Sequence, residues 1–476
     1  MSLKINDDWI PTINIIPPAK PASFPARAER AKIGKMLRET ISRESHSLLN
    51  TGFTRDPLAI LSATDRSRIP ELLPIRYERM AVSPFTFLRG AAAVMASDLA
   101  QLPRLGIPVQ ACGDCHLMNF GAFDTPEGKV LFDINDFDET LPGVDFTVDL
   151  KRLTASVAVA ALDAGWSDKK AKEAVRSVAR NYREFMLELA KLGPLETWHL
   201  SMDVHQEASR ISNTKLRNHI LNTLTKALKN LSQDDNFPKL AEVKDGIARI
   251  ADHPPLIYHL KQKDDPRHKM DITTGFAAYE QALPSEVRML LQRFHLADVA
   301  FKVVGVGSVG TFCAVGLLVS ADSEPLFLQI KEALVSNISG LTDGSKGALH
   351  QGQRVVEGQR MMQAASDTFL GWTQDKEAGR YFYIRHLKNR TLGAIDEMME
   401  GEALFQYGAL CARTLARAHA RTGDATMMAG YMGKSEALDI ALADFAMGYA
   451  AQTKLDHAQL VNSVLSDKPK KSPICP

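Results

Sequence analysis

Apolar residues recur at helical spacing after Ser167. Ala171, Ala174, Val175, Val178, Tyr182, Phe185, Met186 and Leu189 share one face, Ser167 can cap the start, and Gly193-Pro194 ends the run. Similar periodicity predicts helices over Asp149–Gly165, over the Ala-rich "FTFLRGAAAVMASDLA", over Ser285–Leu296, over Leu349–Ala365, and in "EALFQYGALCARTLARAHAR". Residues 26–48 are charged and also read as helix. The pattern changes to β-branched and aromatic residues in "ADVAFKVVGVGSVGTFCAVGLLVSADSEPLFLQIKEAL", where three strands fit: Val299–Val304, Thr311–Val319 and Leu326–Lys331. "GIPVQAC", "KVLFDI" and "RYFYIRHL" are further strand candidates. The expectation is an α+β protein with a helix-rich part and a smaller antiparallel-sheet part.

This reading divides the chain into an extended, Pro-rich arm and helix (1–70), a helical part (71–230), a polar linker (231–282), a strand-rich part (283–390), returning helices (391–460) and a disordered tail (461–476). A length of 476 residues favours more than one core. With 57 basic and 56 acidic side chains the net charge is +1, which points away from nucleic acid or an anionic membrane as partner. No apolar run approaches the roughly 20 residues a spanning helix needs. The first residues lack a basic-then-apolar leader, and five sparse cysteines suggest no disulfide framework. A cytoplasmic protein with reduced thiols is expected.

Gly305, Gly307 and Gly310 satisfy G-x-G-x-x-G, but "TFCAVGLLV" after them reads as strand, not as the helix a dinucleotide fold requires. A glycine hairpin of this kind, including Ser308, can lie over the phosphates of ATP because backbone N–H groups approach closely where no Cβ intervenes. Lys331 ends the third strand and could hold phosphates. A carboxylate on the next helix would orient it: Glu357 is the expected partner, with Glu332 a nearer but less apt one.

The densest chemistry lies in "QACGDCHLMNFGAFDTPEGKVLFDINDFDETLPGVDFTVDLKRL". Asp114 and Asn119 are five apart, like the catalytic Asp and metal-binding Asn of the kinase loop. "GDCHLMN" resembles the loops of aminoglycoside phosphotransferases and choline-type kinases, with Cys112 where those enzymes carry His or Tyr. "LFDINDFDE" resembles the segment that binds magnesium there. The resemblance implies Asp114 as catalytic base, Asn119 and Asp136 as Mg²⁺ ligands with Asp138 or Asp133 in reserve, His116 as support, and Asp149 as a brace of the loop backbone. Asp145 and Glu139 read as caps or loop residues.

Three rival assignments are weaker. Cys112-x-x-Cys115 lacks the second half of a zinc site. "GDCH" lacks the other ligands of a two-metal phosphoesterase. "HARTGD", His419 to Asp424, has Ala429 where a metal-binding Asn would stand and reads as a helix end.

The glycine hairpin follows the Asp114 loop by almost two hundred residues, the reverse of kinase order, so a circularly permuted two-lobe kinase-like fold is expected. "RYERMAVSPFTFLRGAA", "GDCHLMNFG", "FDINDFDET", "VVGVGSVGT", "LQIKEA" and "GQRVVEGQRMMQAASDTFLGW" together resemble the bacterial domain-of-unknown-function 2252 family, from about residue 70 to 455. That resemblance implies a kinase-like fold with ATP and Mg²⁺ as cofactors. It leaves open whether the acceptor is a small molecule or a protein, and whether the pocket transfers phosphate, transfers AMP or only binds nucleotide.

Overall fold

The computed structural model describes residues 25–49, 55–125, 127–229, 240–244, 247–259, 272–303, 305–342, 350–387 and 402–466. The Pro-rich arm and the end of the tail lie outside these residues. The protein is α+β. Its strands are β1 (Pro108–Ala111), β2 (Phe120–Asp124), β3 (Val130–Ile134), β4 (Leu141–Asp145), β5 (Ala241–Lys244), β6 (Ile247–Ile250), β7 (Ile257–Tyr258), β8 (Phe294–Lys302), β9 (Cys313–Ser320), β10 (Pro325–Glu332), β11 (Gly371–Asp375) and β12 (Arg380–His386). Six form one antiparallel sheet in the order β11-β12-β10-β9-β8-β7. Alternation along β9 explains how the sheet buries both faces. Ala314 and Leu318 join one apolar cluster with Ile330 and Phe382, while Val315, Leu317 and Val319 join another with Phe327.

A separate and larger core is built by helices. Phe146–Asp163 is buried along most of its length and packs against Asp168–Leu189, Glu402–Thr422 and Ala437–Ser466. Two short hairpin-like pairs, β1 with β4 and β2 with β3, lie on this helical body and carry the loops of the acidic segment. The amphipathic run after Ser167 forms the expected helix, with the Ser167 side chain accepting from Lys170 N.

Several boundaries moved. The Ala-rich stretch is two helices, Pro84–Gly90 and Ala92–Leu99, with Ala91 out of helical geometry. Arginines take carbonyls at the break: Arg152 Nη2 donates to Leu88 O at 2.7 Å and Arg76 Nη2 to Gly90 O at 3.2 Å. The helix expected over Ser285–Leu296 ends at Leu291, and β8 starts at Phe294 because the sheet recruits "FHLA" through a register shift at Leu296/Asp298. The polar linker region is partly structure. It supplies β7 to the main sheet, the β5–β6 pair and the helix Ile272–Ala282 packed on β11. Among the described residues no helix is long and apolar enough to cross a membrane.

Candidate functional site

The acidic segment and the sheet meet at a cleft of about 860 Å³. Asp114, His116, Asn119, Asp136 and Asp138 line it from one side, and Gly305, Gly307, Ser308 and Lys331 from the other. Residues almost two hundred positions apart therefore share one cavity.

The Cys112–Asn119 loop is fixed from below. Asp149, fully buried in the first turn of Phe146–Asp163, accepts from Cys112 N at 2.7 Å and Gly113 N at 2.8 Å. Its carboxylate also meets His419 Nε2 at 3.1 Å, and His419 Nδ1 lies 2.7 Å from the Tyr182 hydroxyl. The brace acts on backbone N–H groups, so Cys112 can occupy its position without disturbing it. Gly113 turns the loop at φ +86°, where a Cβ would run into the Glu139 carbonyl.

Asp114 is held at one oxygen only. Arg152 gives Oδ1 two hydrogen bonds, from Nε at 2.9 Å and Nη2 at 2.6 Å. Among the described residues Oδ2 makes no hydrogen bond; His116 Nε2 is 3.7 Å away. Burial pushes the Asp114 carboxyl above its ordinary range, with Arg152 and Arg89 opposing. His116 is neutral because burial, with Arg152 and Arg89 adding repulsion, pushes its pKa well down. Its Nδ1 accepts from Met118 N at 3.1 Å, which leaves the ring proton on Nε2. Asn119 Nδ2 donates to the Asp114 carbonyl at 2.6 Å, so its amide oxygen is the atom left for a ligand.

On the same side as Asp114, Asp138 collects donors from the sheet and its glycine hairpin. Lys331 Nζ lies 2.5 Å from Oδ2, Ser308 Oγ 3.1 Å from the same oxygen, and the Tyr383 hydroxyl 2.5 Å from Oδ1. Burial opposes ionisation of Asp138, but the Lys331 charge and these bonds outweigh it and hold its pKa below the usual value. Lys331, against the cost of its own burial, is held well above the ordinary lysine range by Asp136 and Asp138. Asp136 is different. It accepts from Asp138 N at 3.1 Å, and among the described residues it has no cation within ion-pair distance. Burial and the adjacent Asp138 push its pKa up. Asp136 and the Asn119 amide oxygen both line the cleft and are oxygen donors of the kind a hard divalent cation takes, and such a cation would relieve that repulsion.

The pairing of Lys331 with Glu357 is corrected: Asp138 takes the lysine. Helical phase is the reason. On Gln351–Met362 the inward positions include Arg354, Val355 and Gly358, whereas Glu357 faces solvent and accepts from Gln353 Nε2 at 2.7 Å. Glu332 pairs with Arg380 at 2.8 Å. Asp133 is no metal reserve. It is fully buried in an ion pair with Arg417 and accepts from Ala364 N at 3.0 Å. Asp145 caps Phe146–Asp163, and Glu139 accepts from Asn337 N and Nδ2, as expected of structural carboxylates. Cys112, Cys115 and Asp149 cluster closely, yet both Asp149 oxygens are occupied. Each thiol's pKa is raised, Cys112 by its neighbour Cys115 and by burial, Cys115 by burial. That set does not fit a metal.

The glycine hairpin is pinned rather than free. Ile69 N donates to Gly310 O at 2.7 Å and Arg68 Nη1 to Val309 O at 2.5 Å. Gly310 sits at φ +91°, and a Cβ on it would lie 3.0 Å from Arg68 Cβ. A Cβ on Gly307 would lie 3.3 Å from the Arg89 carbonyl, whereas Gly305 has open space.

Sequence reasoning missed Arg152, Arg354, Tyr383 and Arg385. Arg354 donates to the Asp138 carbonyl at 2.9 Å and the Leu334 carbonyl at 2.8 Å, and Arg385 Nη1 to the Asn135 carbonyl at 3.0 Å. Only Arg152 had a local signal, three residues after Asp149 on the same helix face.

Fold and site define an α+β protein whose glycine hairpin covers a cleft with acidic and cationic walls. The chain belongs to the family described as "Uncharacterized protein conserved in bacteria (DUF2252)", whose profile matches residues 68–463. No curated protein and no solved structure matches it.

Proposed function

We propose that the protein is an ATP- and magnesium-dependent phosphotransferase of permuted kinase-like type, with Asp114 receiving the proton of an acceptor hydroxyl. One observation carries this reading: Lys331 and the glycine hairpin line the same cleft as Asp114, Asn119 and Asp136. A lysine, a metal-ligand pair, a proton acceptor and a glycine loop are the parts phosphoryl transfer requires. Asn119 and Asp136 would hold magnesium, which supplies charge neutralisation across the phosphates. Lys331, oriented by Asp138 in place of Glu357, would hold the nucleotide phosphates. Gly305 and Gly307 would offer backbone donors above them, while the Ser308 hydroxyl is engaged by Asp138 and Gly310, which does not line the cleft, shapes the turn.

In the step itself, Asp114 Oδ2 takes the hydroxyl proton as the acceptor oxygen bonds to the γ-phosphorus. The bond from that phosphorus to the β–γ bridging oxygen breaks, and ADP leaves with the electron pair. Arg152, on Oδ1, keeps the other carboxylate oxygen turned to the cleft.

A nucleotide-binding protein with little turnover is the second reading, favoured by the two bonds that tie Asp114 to Arg152. ATP labelled at the γ or the α position, incubated with the protein, magnesium and a cell extract, separates the outcomes. Transfer of γ label supports the proposal. Transfer of α label means adenylylation, and nucleotide binding without transfer of either label means a binder.

A further inference from the structure

Beyond the groups assigned to nucleotide and metal, the cleft has a second charged wall. Arg68, Arg76 and Arg89 line it: Arg68 and Arg76 precede the helix Pro84–Gly90, and Arg89 stands in its last turn. Their partners are unequal. Arg76 commits both terminal nitrogens, Nη1 to Asp65 at 2.7 Å and Nη2 to the Gly90 carbonyl, although its Nε too is buried without a partner. Arg68 uses Nη1 on the Val309 carbonyl, and its Nε is buried without a partner. Arg89 has no hydrogen bond or ion pair among the described residues, and its Nε is buried and unpartnered. An enclosed Nε recurs in several paired arginines; what sets Arg89 apart is that its terminal Nη groups, and Nη2 of Arg68, carry no protein partner among the described residues where they line the cleft and are free to take a ligand.

The carboxylates nearby are already engaged. Asp65 serves Arg76 and the Tyr77 hydroxyl, Asp114 serves Arg152, and Glu139 is turned onto Asn337. Arg68 is crowded by Arg76, and burial with that repulsion lowers its pKa to about 10. Arg89 is lowered by burial, with Asp114 the one carboxylate that opposes the shift. The helix Ala92–Leu99 starts on the same wall without a side-chain cap, and Ala92 and Ala93 line the cleft. Charge in the cleft is thus divided: Asp136 and Asp138 are matched by Lys331 and Arg385, whereas Arg89 and Arg68 line the cleft with no carboxylate of their own in ion-pair distance among the described residues.

Resting on the phosphotransferase reading, we infer that the acceptor is an anionic hydroxyl compound whose phosphate or carboxylate is held by Arg89 and Arg68, with its hydroxyl at Asp114. Arginine's planar fork suits either anion, and Arg89 is near enough to Asp114 for the two to feel each other's charge. The subsite would reject neutral hydroxyl compounds, because their binding leaves the guanidiniums unpaired.

The test is calorimetric titration of inorganic phosphate into the full chain saturated with Mg²⁺ and a non-hydrolysable ATP analogue, so that the γ-phosphate position is filled. One saturable site is expected, weakened about tenfold or more in Arg89→Gln and Arg68→Gln and partly restored in Arg89→Lys. Affinity for the analogue should change by less than about twofold in Arg89→Gln, whereas Arg68→Gln also removes the bond that pins the glycine hairpin and is read on phosphate binding alone. Matched acceptors then identify the anion: glycerol against glycerol phosphate and glycerate, with transfer expected only to a charged member. Phosphate binding that the variants leave intact, or no saturable binding, overturns the inference. So does a parallel loss of analogue affinity in Arg89→Gln, which would assign that arginine to the nucleotide, and so does equal transfer to glycerol. If the wild type fails to bind the analogue, the phosphotransferase reading falls. The phosphate titration on the free protein then judges the subsite by the same criteria.

Discussion

Lys331 Nζ and Asp138 Oδ2 lie 2.5 Å apart across 193 residues of sequence. Their ion pair ties β10 of the sheet to the turn after β3 on the helical body. Lys331 is 4% exposed and Asp138 28%, so the pair is largely withdrawn from water. Ser308 and Tyr383 add hydrogen bonds to the same carboxylate, and Arg354 fixes its backbone carbonyl.

Breaking that pair from one side strands a charge. Lys331→Met and Asp138→Asn should each lower stability by about 2–4 kcal/mol, somewhat below the fully buried range because Asp138 keeps some solvent access. The double variant should cost less than the two together. Denaturant unfolding of all four proteins measures the coupling, and strict additivity would show that the pair does not join the two parts.

Gly113→Ala tests the loop itself. At φ +86° and against the Glu139 carbonyl, a methyl group must displace the turn that carries Asp114. A stability loss of about 2 kcal/mol is expected, together with a fall in label transfer far larger than any change in nucleotide affinity. A variant with wild-type melting and transfer would mean that the turn tolerates a side chain and does not set the position of Asp114.

Asp136→Ala addresses the metal. The wild type should show a rise in melting temperature when ATP and Mg²⁺ are present together, since a ligand that binds only the folded state stabilises it. In the variant the magnesium-dependent part of that rise should vanish. Removing a carboxylate whose pKa is raised by burial and by Asp138 repulsion should leave the ligand-free melting temperature unchanged or higher. A full magnesium response in Asp136→Ala would remove it from the metal site.

Lys151 offers a pH test away from the cleft. It is buried on Phe146–Asp163 over the Phe445 ring at 4.9 Å, and burial lowers its pKa from 10.5 to about 8, with Asp145 opposing. Below about pH 8 the fold carries the full cost of a buried ammonium, on the order of 3 kcal/mol. Between about 8 and 10.5 the unfolded chain holds a proton that the folded chain has shed, so this group's contribution to stability rises with pH. Lys151→Met should therefore be more stable than wild type at pH 6, by about 1–2 kcal/mol after loss of the ring contact. The gap should narrow as pH approaches 10. A less stable variant at pH 6, or a gap independent of pH, would contradict this account.

Local spacing made much of the site readable. Asp114 and Asn119 sit on one tight loop, where chain connectivity alone brings them together. Asp149 lies near the start of an evident helix, with no room to be anything but inward. The β8–β9 hairpin followed from the β-branched run after the glycines. The Glu357 assignment failed because a helix's inward face is set by what it packs on, and Gly358 rather than Glu357 meets Thr140. The break at Ala91 was hidden because Arg76, from the preceding helix, and Arg152, 64 residues from Leu88, compensate the freed carbonyls.

What the sequence by itself determined is therefore the α+β composition, the most periodic helices, six of the twelve described strands (β1, β3, β8, β9, β10 and β12) and the short-range acidic constellation. These depend on periodicity and on neighbours within a few bonds. Only the tertiary structure decided which cation meets which carboxylate, and which arginines end with idle donors in a cleft. Burial and pairing depend on contacts between distant segments, and an arginine that closes a core pair looks the same in the chain as one waiting for a ligand.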